Sequence, residues 1–178
     1  MNVNQIFFLV TIALFGIPVI LSYIFGIKRI KNIDLLWGGM PKNIQKVLTV
    51  SMLLCTVSFF TFSSYIFILN GGNVDLIFID VIYAVLLGAA ALWLPLMIEV
   101  IELKKKIYWI LTRISLAIVG FTSLFFLSVM IFSGRTGTHF IASIIGLVIF
   151  TFHTVVLDAI VWPYFFTKKK VVGNVKKR

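Results

Sequence analysis

Residues 76–132 read LIFIDVIYAVLLGAAALWLPLMIEVIELKKKIYWILTRISLAIVGFTSLFFLSVMIF, two long apolar runs joined at a knot of lysines, Lys104, Lys105 and Lys106. A helix needs roughly 20 mainly apolar residues to cross about 30 Å of hydrocarbon, and each run is long enough. The same pattern continues in both directions along the chain. Five spans are expected, at about residues 6–27, 47–69, 76–98, 107–132 and 140–166. The expected fold class is therefore all-α: a polytopic integral membrane protein forming one five-transmembrane-helix bundle over residues 1–178, with a basic tail at 167–178.

Positive charge supplies an orientation. Of the sixteen Lys and Arg residues, fourteen lie in three segments: Lys28, Arg29, Lys31, Lys42 and Lys46; Lys104 to Lys106; and Lys168, Lys169, Lys170, Lys176, Lys177 and Arg178. Connections rich in Lys and Arg stay in the cytoplasm, whereas the connections at 70–75 and 133–139 hold only Arg135. The expected topology has the N-terminus outside and the C-terminus inside.

At 61% hydrophobic and 12% charged, the chain is too apolar for an ordinary soluble domain. Its net charge of +10 does not indicate nucleic acid, because the basic residues are short flanks beside apolar runs rather than a solvated surface. They suit topology and attraction to anionic lipid headgroups at the cytoplasmic face. The lipid bilayer is thus the first expected partner; a small-molecule ligand, another membrane protein or a second copy are further candidates. The first span has no basic residue before it, and Lys28 and Arg29 follow it, so it reads as a retained anchor rather than a secretory signal. Cys55 is the only cysteine, which rules out an intrachain disulfide and leaves it a small packing residue.

The short outer connections are expected to fold spans two and three, and four and five, into antiparallel hairpins. In the longer inner connection, Ile27, Ile30, Ile33 or Asp34, and Trp37 recur at helical spacing before Gly38, Gly39 and Pro41. That pattern predicts an interfacial helix over 27–37, with a partner-docking helix as the alternative. Ala84 with Gly88, and Ala142 with Gly146, are small pairs four apart that allow close helix approach, which predicts spans three and five buried and touching. Pro18 is expected to kink span one, while Pro95 and Pro163 lie near span ends. Trp93, Trp109, Trp162, Tyr108 and Tyr164 suggest an inner aromatic belt.

Ionisable groups within hydrocarbon are costly unless paired or hydrated, so they are the candidate site residues. Arg113 is about six residues in from the inner end of span four, roughly 9 Å deep at 1.5 Å per residue, and Asp158 lies at a comparable depth on span five. The pair is expected to form a salt bridge, either structural or part of a substrate or proton path. Asp80 and His153 approach from the outer side and are expected to meet or share water, with Tyr83 nearby. Five residues separate His153 from Asp158, about 140° around an α-helix, so they should not share a face. Glu99 and Glu102 read as solvated compensation for Lys104 to Lys106. In span two, Ser51, Cys55 and Ser58 share a face suited to close packing or to one wall of a wet cavity.

No phosphate loop, G-x-S-x-G elbow or H-E-x-x-H pair occurs, and no catalytic residue, metal set or cofactor is expected. In size and number of spans the chain resembles the small tryptophan-rich sensory proteins that bind tetrapyrroles and sterols. It matches none of their motif residues, so no family is assigned. The leading functional expectation is a non-enzymatic protein that binds or transports a small apolar or amphipathic molecule through a cavity lined by spans two, three and five. The alternatives are an accessory or assembly subunit, and an embedded enzyme using His153 with Asp158 or Asp80 as acid and base.

Overall fold

The structure, a computed structural model, describes residues 1–69 and 77–168. The connection at 70–75, expected outside, and most of the basic tail lie outside the described residues. Seven α-helices and one π-helical segment follow in order: α1 (Val3–Arg29), α2 (Asp34–Trp37), α3 (Lys42–Leu69), α4 (Ile77–Leu103), α5 (Lys106–Phe132), α6 (Thr138–Thr151), the π segment (Phe152–Val161) and α7 (Trp162–Lys168). Among the described residues no strand occurs. Four helices, together with the continuous stretch Thr138–Thr167, give five elements long and apolar enough to cross a membrane. These five elements suit an all-helical, multi-pass membrane protein.

The spatial order differs from the chain order. Closest packing joins α1 to α4, α4 to α5, α5 to α6 and the π segment, and α6 to α3. Spans two and three, expected as a tight hairpin, meet instead through long side chains: the rings of Phe62 and Tyr83 stand 6.1 Å apart. Spans three and five, expected to touch through their small residues, meet instead through the rings of Trp93 and Trp162, 5.9 Å apart. Within a bilayer the lipid is as apolar as the helix surface, so close van der Waals approach decides which faces meet. A Cβ at Gly88 would lie 3.7 Å from Phe15 of α1, and one at Gly146 would lie 3.3 Å from the Ser58 carbonyl of α3. Each small residue therefore serves a separate helix pair.

At the end of the bundle away from the lysines, Phe8, Phe62, Tyr83, Phe126 and Phe150 fill the interior. Phe8 and Phe126 each meet Tyr83 edge-on at 4.9 Å, and such pairs contribute about 0.5–1.5 kcal/mol beyond the area buried. The Tyr83 hydroxyl is hydrogen-bonded to Ser63 Oγ at 3.0 Å, so this core leaves no polar atom of Tyr83 unmatched.

At the basic end the predicted helix over 27–37 is corrected. Helix α1 runs to Arg29, where the guanidinium pairs with Glu99 at 3.0 Å and with Glu102, so these glutamates bind α1 rather than simply offsetting the neighbouring lysines. Ile30 then turns extended at φ −78°, ψ 117°, and only the four residues Asp34–Trp37 are helical. Asn32 Oδ1 accepts the Asp34 N–H at 2.9 Å, a local bond that favours a turn over continued helix. Gly38 ends α2 with φ +57°, and a Cβ there would lie 2.7 Å from the Phe166 backbone. The Trp162 indole donates to Leu36 O at 2.9 Å and Gly39 N–H to Phe165 O at 3.3 Å. The 30–41 connection is thereby strapped to α7.

Candidate functional site

The last span changes its winding where the chemistry lies. Phe152–Val161 form a π-helix, in which the N–H of each residue bonds five residues back; Trp162 N–H, for example, reaches Leu157 O. At the entry to this segment the Thr154 hydroxyl donates to Phe150 O at 3.0 Å and Thr151 O at 3.3 Å. Pro163, which has no N–H to offer the ladder, follows directly where the π segment gives way to α7. On the other side, Gly120 of α5 lets the wider segment come close: a Cβ there would sit 3.4 Å from Val155 Cγ2. Ser123 Oγ and Thr154 Oγ1 join the two helices at 2.9 Å.

This winding corrects the expectation that His153 and Asp158 diverge. An α-helix would separate them by about 140°, whereas five-residue bonding stacks them on one face. His153 Nε2 stands 3.4 Å from Asp158 Oδ2, and His153 Nδ1 is hydrogen-bonded to Ser51 Oγ at 2.8 Å. With the Nε2 proton turned to the carboxylate, Nδ1 is the acceptor and Ser51 the donor. The line Ser51, His153, Asp158 thus leads from α3 across the bundle. His153 is enclosed, its side chain 5% exposed, while that of Asp158 is 32% exposed.

Asp158 opens onto a cavity of about 170 Å³ at the basic end. Its wall is apolar and aromatic, with Tyr23 from α1, Trp37 from α2, Trp93 from α4 and Trp162 from α7; α2 forms part of its boundary. Trp93 Nε1 donates to Tyr23 Oη at 3.2 Å. The rings of Tyr23 and Trp93 stand 5.8 Å apart, and those of Trp93 and Trp162 5.9 Å apart. Part of the expected aromatic belt is therefore turned inward.

The remaining candidates are placed elsewhere. Arg113 does not pair with Asp158: it is exposed on α5, with its guanidinium carbon 5.8 Å from the centre of the Trp109 ring one turn earlier. The buried face of α5 carries Thr112, Ser115 and Leu116, which leaves Arg113 on the outer side, free to extend toward the basic end. Nor does Asp80 meet His153. It borders a second cavity of about 380 Å³ with Asn4, Thr11 and Ala84, between α1 and α4. As a carboxylate in the first turn of α4, it complements that helix's N-terminal dipole. Tyr83 is buried in the aromatic core described above.

Ser51, Tyr23, Trp93 and Trp162 are the site residues that sequence reasoning did not assign. Ser51 carried a signal, the shared face with Cys55 and Ser58. Most other span-two hydroxyls bond within their own helix: Thr49 to Gln45 O, Thr56 to Met52 O and Thr61 to Val57 O. Comparison with known proteins adds no relative: no family model, curated protein or solved structure matches the chain.

Proposed function

We propose that this multi-pass membrane protein takes up a small, largely apolar molecule with one polar group in the cavity over Asp158, with its N-terminus outside and that cavity in the cytoplasmic half. The observation that carries the reading is a ring-lined void into which a carboxylate projects, backed by a hydrogen-bonded histidine. Small-molecule sites have this makeup, an apolar wall with a few placed polar groups. An intramembrane carboxylate turned to a void, rather than to an arginine, points to a ligand.

The alternatives lose support at particular residues. Gly88, Gly120 and Gly146, small residues that would suit docking to another membrane protein, each face a helix of this same bundle. Ser51, His153 and Asp158 stand in a line, but Ser51 lies well inside α3, where backbone N–H groups are consumed by the helix. Acyl transfer also needs free donors for an oxyanion.

Binding is tested in nanodiscs by quenching of the cavity tryptophans with a one-ring brominated amphiphile. Wild type should show a saturable component above linear partitioning, and Met52→Phe, which fills the cavity from α3, should lose it. Linear quenching of equal slope in both proteins would remove the reading. The orientation is tested separately in cells: in a Cys55→Ser background, a cysteine at position 136 should react with an impermeant reagent added outside.

A further inference from the structure

We propose that the cavity over Asp158 selects an organic cation of about one aromatic ring in size over a neutral or anionic molecule of the same shape. The proposal rests on the cavity reading above and adds the charge of the occupant.

Among the described residues, Asp158 is the only acidic or basic side chain on the wall. Its Oδ2 faces His153, and its Oδ1 makes no hydrogen bond among the described residues. Three of the cations toward the basic end are engaged elsewhere. Arg29 is held by Glu99 and Glu102, Lys42 by Asp34 at 2.8 Å, and Arg113 lies over Trp109 on the outer face of α5. Tyr23 and Cys55 lie within electrostatic reach of the carboxylate, and neither brings a positive charge. A carboxylate so placed favours a positive guest, since attraction between charges strengthens where water is thin.

The aromatic wall favours the same sign. The indole N–H of Trp93 is given to Tyr23 Oη and that of Trp162 to Leu36 O. These two indole donors are thus spent within the protein, and the rings retain their electron-rich faces. Such faces attract ammonium groups, quaternary ones included. The volume sets the size: about 170 Å³ is close to the roughly 150 Å³ engineered cavity that holds benzene.

The experiment uses the full chain in phosphatidylcholine nanodiscs, which carry no net charge to attract the probe. Three ligands share one shape: benzyltrimethylammonium, its neutral carbon isostere neopentylbenzene, and the anion phenylmethanesulfonate. The expected result is saturable binding of the cation at least about tenfold tighter than of the neutral isostere, and none of the anion. Asp158→Asn should lower cation affinity by about tenfold while leaving neopentylbenzene unchanged, and Trp93→Leu should weaken the cation severalfold. Equal wild-type affinity for cation and isostere overturns the charge selection and leaves the cavity reading standing. Binding of none of the three removes both. If Asp158→Asn does not fold, the wild-type comparison of cation with isostere decides the question.

Discussion

At the end of the bundle away from the lysines, Phe8, Phe62, Tyr83, Phe126 and Phe150 come from α1, α3, α4, α5 and α6 and close on one another. At the basic end, Trp93, Trp109, Trp162 and Phe166 come from α4, α5 and α7 only, with Trp109 and Trp162 flanking Phe166 at 5.1 and 5.3 Å. The first group surrounds its centre and fills it. The second stacks along one side and leaves the opposite side to Tyr23, Met52 and Asp158, so a void remains. Aromatic content alone therefore does not decide whether a helical interior is solid. What decides is whether rings converge from every side and whether each polar atom finds a partner inside, as Tyr83 does in Ser63.

The contrast is broken most severely at its solid end. Phe62→Ala should cost about 3–5 kcal/mol, the usual loss for a buried aromatic ring whose neighbours cannot collapse, read as a lower midpoint in detergent-induced unfolding. A loss below about 1 kcal/mol would mean that the core is as loosely filled as the basic end.

An intermediate effect is expected at the polar line. His153→Leu leaves Ser51 and Asp158 without their common partner and should destabilise by about 1–3 kcal/mol. Ser51→Ala alone should cost less. In the double-mutant cycle of Ser51→Ala with His153→Leu the two losses should not add, because they share one hydrogen bond. Strict additivity would show that the 2.8 Å contact between Ser51 and His153 contributes nothing.

The smallest effect belongs to Arg113. An exposed cation over a ring contributes about 0.5–1 kcal/mol, so Arg113→Gln should barely shift stability, and its effect should add to that of Asp158→Asn. Strong coupling between these two would restore the salt bridge expected from their depths and would undo the assignment of Asp158 to the cavity.

How much of this was legible beforehand varies by element. The long helices and the break near Gly38 follow from composition and local chemistry, and the structure places their ends within a few residues of the expected ones. The helix over 27–37 was misread because an apolar stripe at helical spacing does not reveal that Asn32 will bond its own backbone. His153 and Asp158 were singled out as costly groups, yet their partners were not. Depth along the span, which pointed to Arg113, says nothing about the direction a side chain takes around the helix. The assumption of α-helical winding then turned the two residues apart.

Length, hydropathy and charge clustering determined by themselves that this protein is a bundle of five apolar helices with one basic end. Those properties are local, since a backbone in hydrocarbon must satisfy its hydrogen bonds within its own segment. Only the tertiary structure decided that α1 packs on α4, that α3 packs on α6, and that the last span widens into a π segment which brings Asp158 against His153 and into a cavity. Those outcomes depend on which small residue meets which neighbour, as Gly120 meets Val155 and Gly146 meets Ser58. Between helices of equal apolarity the hydrophobic effect offers no preference, and close steric fit makes the choice.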